Sequence, residues 1–146
     1  TLHLNPRDDL KTVRVDLLVS ERLRSGRNTR LALSALMLDR GTVRLPDLRQ
    51  INRFVDELYG ADFSVFVDQY GDYQALHVVL ETVDARFLPG GEELQPRGVE
   101  FLHQVLCEPM VEDGGFPVQT LEQEKAVLAG FIASQRNDKL AAAQQR

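Results

Sequence analysis

Residues Asn28–Gly60 read NTRLALSALMLDRGTVRLPDLRQINRFVDELYG, which has the pattern of two helices joined by a short turn. The first helix contains Leu31–Leu38, LALSALML, an almost unbroken apolar run. A helix that is apolar on every side belongs inside a core, packed against a sheet or another helix. Asn28 or Thr29 is expected to cap its start, and Gly41 stands where a left-handed residue commonly ends a helix.

The second helix is predicted to open at Pro46-Asp47, since the first turn of a helix tolerates proline, whose missing N–H would be unpaired there anyway. Its apolar residues recur at i, i+3, i+7 and i+10, which places them on one core-facing stripe: Leu48, Ile51, Val55 and Leu58. Gly60 is expected to end this helix.

Alternating apolar and polar residues on either side of the helix pair predict strands with one buried face. We expect a short strand at Thr1–Leu4 followed by one at Thr12–Val19, the two forming a first hairpin. A second hairpin is predicted from Ala61–Asp68 and Tyr73–Thr82, joined by the turn at Gln69–Asp72. The second hairpin is expected at the centre of an antiparallel sheet.

Two further helices are predicted after the strands. The third covers Arg97–Cys107, with a buried stripe that comprises Val99, Leu102 and Leu106, helped by Phe101 and Val105. A last long helix is expected to begin near Thr120 as its cap, and Asp138–Arg146 also has a helical pattern with no stop signal. For this reason we expect the chain to be part of a longer protein.

Composition indicates one ordinary globular domain and disfavours several kinds of partner. The chain has 146 residues, 43% hydrophobic and 27% charged. Its formal net charge of -5 disfavours a dedicated nucleic-acid binder. No apolar run approaches the ~20 residues of a membrane span. The single cysteine, Cys107, excludes an internal disulfide and fits a reducing compartment, so we expect a cytoplasmic protein.

Several short stretches in order resemble the pitrilysin (insulinase) family of zinc peptidases: Lys11-Thr12, the apolar helix with Gly41-Thr42, Asp56–Ala61, Glu124-Lys125 with Val127-Leu128, and Asn137-Asp138-Lys139. The resemblance implies an α+β domain with helices packed on one face of a mainly antiparallel sheet, the LuxS/mitochondrial-processing-peptidase-like fold. It also implies that residues 1–146 form a single domain, most of the first of two or more in the full protein.

The residues that should carry the chemistry of that family are missing. Active members have an inverted zinc motif, H-x-x-E-H, which counting back from Gly41-Thr42 places at residues 32–36. The two histidine ligands would then fall on Ala32 and Leu36, the general base on Ala35, and the third ligand, a glutamate, on Phe131. A catalytic zinc needs three protein ligands and a water. The resemblance therefore implies a silent relative with no catalytic residue, metal or cofactor.

Glu124 matches a supporting glutamate seven residues before that third ligand position. In an active member it would orient the metal site. Alone it cannot hold zinc, and a solvated or hydrogen-bonded helix glutamate is the favoured interpretation.

Four arginines in nine residues, Arg22, Arg24, Arg27 and Arg30, suggest either a solvated loop that offsets an acidic protein or a grip on phosphate or an acidic partner. The solvated loop is favoured, because the spacing matches no phosphate motif. Gly26 stands alone, without the G-x-x-x-x-G-K-S/T of a P-loop, so a nucleotide site of that kind is excluded.

Other groups of residues give weaker signals for a metal-binding or catalytic site. Glu100, His103 and Cys107 share one face of the third helix, but a single helix rarely supplies three ligands to a tetrahedral ion. A Cys107–His103 dyad would need an exposed, activated thiolate, and Cys107 is instead expected to pack as a small apolar group. His77 and Glu81 are four strand positions apart, about 13 Å, too far for one metal.

The sequence thus predicts a non-catalytic domain that helps to form a peptide-binding chamber. The resemblance implies docking, as a homo- or heterodimer, with a homologue that keeps the zinc motif. An exposed sheet edge could accept an extended peptide. Two alternatives stay open: an active zinc peptidase with ligands from outside these residues, and a scaffold or adaptor that acts without any peptidase.

Overall fold

Three strands and four α-helices make up the computed structural model, which describes residues 1–24 and 26–137. In chain order they are β1 (Thr12–Arg22), α1 (Asn28–Leu38), α2 (Leu48–Glu57), β2 (Asp62–Tyr70), β3 (Tyr73–Val83), α3 (Gln95–Cys107) and α4 (Val118–Asn137), with a short 3-10 turn at Ala85–Phe87. The predicted helical segment at Asp138–Arg146 lies outside the described residues. The α+β class expected from the sequence is confirmed.

The sheet is antiparallel and is centred on β3, which pairs with β1 on one side and β2 on the other. Leu80 faces Val15 across one ladder and Phe63 across the other. The predicted hairpin of β2 and β3 is confirmed, and its two-residue loop begins with Gly71 at φ 58°, the left-handed conformation that such tight loops require. In the described sheet, however, only β3 lies at the centre, and β2 is an edge strand.

The prediction of a strand at Thr1–Leu4, and so of a first hairpin, is wrong. These residues have no regular structure, and Leu2 and Leu4 are about four-fifths exposed. β1 pairs along its whole length with β3 instead. Four alternating residues bury too little surface to hold an edge strand, whereas the eleven residues of β1 match the eleven of β3.

The hydrophobic core lies on the sheet face that carries Leu76, Val78 and Leu80 of β3. Helices α1, α2 and α3 contribute the other fully buried members: Ala35, Leu38, Ile51, Phe101, Leu102 and Val105, with Leu58 and Leu94 from adjoining turns. Phe101 is the centre of an aromatic group, with its ring centroid 4.9 Å from that of Phe54 and 4.8 Å from that of Phe63. These contacts join α2, α3 and β2.

Helix α1 is buried as predicted, since every residue of Leu31–Leu38 is at least half-buried. Its capping was predicted wrongly. The helix begins at Asn28 with Arg27 in the cap position, and the Asn28 Oδ1 accepts from the Arg24 N–H at 3.1 Å instead of capping forward. Gly41 is not left-handed; it is required because an added Cβ would lie 2.8 Å from the Pro46 carbonyl oxygen.

Helix α2 begins at Leu48, two residues after Pro46, where its start was predicted. Asp47 is its cap and accepts from the Gln50 N–H at 2.9 Å, so Pro46 lies outside the helix. Ile51 is buried as expected, but Leu48 is 37% exposed, because it lies in the first turn, away from the sheet.

The third and fourth helices were predicted in the right places with errors at their starts. Helix α3 begins at Gln95, and Val99 is 50% exposed, so the predicted stripe was rotated by part of a turn. Helix α4 begins at Val118, which puts Thr120 inside the helix and not at the cap. Within residues 1–24 and 26–137, no helix has both the length and the hydropathy needed to span a bilayer.

Candidate functional site

Helices α1 and α4 pack against each other and carry the four degenerate motif positions. On α1, Ala35 is buried, while Ala32 and Leu36 are half-buried. Phe131 lies on α4 with 58% of its surface exposed. The two helices are therefore neighbours, and the positions that the resemblance assigns to ligands and base carry methyl, isobutyl and phenyl groups.

A zinc ion does not fit these residues. None of the four side chains has a lone pair to offer, and zinc is bound in proteins by thiolate, imidazole and carboxylate groups. Across the part of the chain that the structure describes, no group of three or more His, Cys, Asp or Glu side chains is placed to hold a metal ion.

Glu124, which lies on α4, forms an ion pair within the domain. Its Oε1 lies 2.6 Å from Nη2 of Arg40, just beyond the end of α1, and only 4% of its side chain is exposed. Its other oxygen, Oε2, is buried and accepts no hydrogen bond from the described residues. Glu124 is thus a buried, ion-paired side chain and not a solvated one.

Asp39 is a second acidic residue close to the Arg40–Glu124 pair. Burial raises the pKa of the Asp39 carboxyl above its usual range; neighbouring Arg40 lowers it and Glu124 raises it further. Burial disfavours the charged form of a carboxyl because it removes water. Arg40 thus pairs with Glu124, and its charge also acts on the carboxyl of Asp39.

A cleft of about 530 Å³ opens beside the pair. Its lining comes from the end of α1, the start of α2 and the segment leading into α4: Met37, Arg40, Pro46, Asp47, Leu48, Met110, Glu112, Pro117, Val118, Gln119 and Thr120. Among the described residues that line it there is no cysteine or histidine, so they offer neither a thiolate nor an imidazole for nucleophilic or acid–base catalysis.

The helix α3 candidates are not brought together as a site. Glu100 pairs with Arg44 at 2.8 Å, and the same arginine contacts Glu108 at 3.2 Å. Cys107 is exposed, so the prediction that it packs as a small apolar group is wrong. It follows the half-buried Leu106 by one residue, which turns its thiol about 100° around the helix towards solvent.

His77 forms a polar network that sequence reasoning missed. It is only 5% exposed, with Nδ1 3.0 Å from Asp16 Oδ2 and Nε2 3.2 Å from the Tyr70 hydroxyl. Its ring stacks on Phe66, with centroids 4.8 Å apart. Since a carboxylate only accepts, we assign the hydrogen to Nδ1 and let Tyr70 donate to Nε2.

The sequence contains only part of the information needed to predict this network. Alternation places Asp16 and His77 on outward positions of their strands, but it does not reveal which strands are neighbours or in what register. Both ring nitrogens of His77 have partners, so the network stabilises the sheet face and leaves no imidazole nitrogen free for a ligand.

The architecture is that of a solved bacterial structure. It matches the crystal structure of a conserved protein from Enterococcus faecalis V583 with a TM-score of 0.88. The two are 24% identical, and the match covers 95% of this chain and 32% of that one. At this identity the likeness establishes a shared fold. No protein-family model matches the chain.

The sequence is also similar to a Bacillus subtilis (strain 168) protein named "Probable inactive metalloprotease YmfF". The two are 27% identical over 140 residues, which cover 96% of this chain and 33% of that protein. The chain thus spans about a third of the length of each of these two relatives. A relative described as an inactive metalloprotease agrees with the missing ligands described above.

Proposed function

We propose that this chain is a non-catalytic, pitrilysin-type domain of the LuxS/mitochondrial-processing-peptidase-like fold. The observation that carries the proposal is the contact between α1 and α4. At the positions where an active relative would place zinc ligands it has Ala32, Leu36 and Phe131, and Glu124, the glutamate that would support the site, is paired with Arg40. The relative named as a probable inactive metalloprotease supports the same reading.

The proposed role is to shape a chamber around a peptide and to dock a homologue that retains the zinc motif, as a homo- or heterodimer. Edge strands β1 and β2 each leave one row of backbone groups unpaired in the described sheet, which is what strand addition of an extended peptide requires. A cytoplasmic location stays a prediction, to which the exposed free thiol of Cys107 is suited, because thiols persist in reducing compartments.

Restoring the missing ligands tests the assignment of the four positions. The natural full-length protein and a variant with Ala32→His, Leu36→His and Phe131→Glu would be dialysed against zinc and their metal content measured. We expect the variant to hold one more zinc per chain than the wild type. A matched control with the two histidines but without Phe131→Glu should gain far less, because a structural or catalytic zinc needs at least three protein ligands.

Peptide cleavage tests the absence of catalysis. Cleavage of a mixed peptide pool by the wild type would be measured with and without chelator. No cleavage by the protein alone supports the proposal. Chelator-sensitive cleavage together with one zinc per chain in the wild type would overturn it and favour ligands from outside these residues.

Docking is tested by mixing the protein with a homologue that carries H-x-x-E-H and measuring both sedimentation and peptide cleavage. A heavier species and stimulated cleavage support the role. If the two proteins do not associate and cleavage is not stimulated, the role is contradicted, and a scaffold that acts without a peptidase is favoured.

A further inference from the structure

A positively charged surface lies where β1 leads into α1. It is formed by Arg22, Arg24, Arg27 and Arg30, which we call the arginine cluster. All four are exposed. The nine residues from 22 to 30 contain no acidic residue. The structure thus concentrates four positive charges on a short surface segment.

The cluster differs from most other arginines of the protein in having no acidic partner. Seven arginines elsewhere form ion pairs: Arg7, Arg14, Arg40, Arg44, Arg53, Arg86 and Arg97. No member of the arginine cluster lies within 4.0 Å of an acidic oxygen in the described part of the chain. Their guanidinium groups are therefore available to an external anion.

The small size of the cleft beside Arg27 and Arg30 favours a ligand with a small number of carboxylates. Arg27 and Arg30 line a shallow cleft of about 220 Å³ together with Leu31 and Ser34. The one acid in its lining, Glu21, is engaged by the Gln74 side chain at 2.7 Å. The cleft also adjoins the start of α1, whose free backbone amides carry a partial positive charge.

We propose that the arginine cluster is a docking surface for a short acidic peptide segment of a partner protein. Guanidinium groups match carboxylates with two parallel hydrogen bonds, which gives such contacts both strength and orientation. The four arginines are among 17 basic residues, and without them 13 basic face 22 acidic residues in the rest of the chain. A long polyanion such as nucleic acid would meet that acidic remainder, whereas a short acidic segment would not.

This docking surface does not depend on the proposed function, because it lies on other residues and would exist whether or not the domain holds a metal. The probe is a fluorescein-labelled octapeptide of glutamate and glycine, titrated with the natural full-length protein and followed by fluorescence anisotropy. An octapeptide with glutamine in place of glutamate is the neutral control. Binding should weaken as salt rises from 0.01 M to 0.1 M, because the Debye length falls from about 30 Å to about 10 Å.

Paired variants locate the binding. Arg27→Gln with Arg30→Gln should weaken binding of the acidic peptide at least about fivefold. Arg49→Gln with Arg53→Gln, the same change of charge on α2, should change it less than about twofold. Melting curves confirm that both variants fold. The proposal is overturned if the wild type does not prefer the acidic peptide, if both variants lose binding equally, or if a single-stranded oligonucleotide binds more tightly than the acidic peptide.

Discussion

Arg40 Nη2 lies 2.6 Å from Glu124 Oε1, and this contact links the end of α1 to α4. The two partners differ in environment: 42% of the Arg40 side chain is exposed, against 4% for Glu124. The loss of the arginine would therefore leave a carboxylate buried without its counter-ion, whereas the loss of the carboxylate would leave an arginine that can turn to water.

We predict that Arg40→Met lowers the free energy of unfolding by about 1–3 kcal/mol, because a buried charge loses its partner. The value is below that of a fully buried pair because water reaches Arg40. Glu124→Gln should cost less, and Arg40→Met combined with Glu124→Leu should recover part of the loss. Urea unfolding of the three variants measures this. Equal stability of Arg40→Met and wild type would show that the ion pair does not hold α4 to α1.

Asp39 should destabilise the protein at neutral pH. Burial raises the pKa of its carboxyl in the folded state, so folding takes up a proton in the window just above the ordinary value of 3.8. Wild-type stability therefore falls as pH rises through that window. Asp39→Asn removes the charge and should raise the melting temperature at pH 7, with a smaller difference near pH 3.5. A lower melting temperature at pH 7 would contradict this.

Asp47 is a control, because its effect on stability should depend on pH in the opposite direction. Its hydrogen bonds from Gln50 lower the pKa of its carboxyl, so its contribution is present at neutral pH and is lost as pH falls. Asp47→Ala should lower the melting temperature at pH 7 and matter less in acid.

Gly41→Ala should destabilise the protein by about 1–3 kcal/mol, because the added Cβ would overlap backbone that cannot easily move. The nearest atoms, 2.8 Å and 2.9 Å away, belong to the Pro46 carbonyl group. Gly130→Ala is the matched control: it lies in α4 with no neighbour within 4 Å of the added carbon, and it should gain up to about 1 kcal/mol of helix stability. Urea unfolding compares the two, and equal effects would refute the packing argument.

The His77 network should respond unequally to the loss of its two partners. Asp16→Ala leaves the buried Nδ1–H without an acceptor and should cost about 1–3 kcal/mol. Tyr70→Phe removes one neutral hydrogen bond and should cost about 0.5–1.5 kcal/mol. Asp68→Ala, an exposed acid two residues after Phe66, should stay within about 0.5 kcal/mol. A larger cost for Tyr70→Phe than for Asp16→Ala would contradict the assigned hydrogen positions.

Local patterns predicted most of the elements correctly. The apolar run at Leu31–Leu38 predicted a buried helix, and alternation over Ala61–Asp68 and Tyr73–Thr82 predicted the hairpin of β2 and β3. Both signals arise within a few residues, because helix and strand periodicities follow from backbone geometry. The lack of donor atoms at Ala32, Leu36 and Phe131 is likewise a property of the side chains themselves, and no fold can change it.

Contacts between distant segments could not be predicted from local sequence patterns. The outward exposure of Cys107, the burial of Glu124 against Arg40 and the meeting of His77 with Asp16, 61 residues away, depend on how helices and strands are placed. Alternation assigns a residue to a face, but many strand orders and registers satisfy the same alternation. Only the packing of the whole core selects one of them, and that selection brings these partners together.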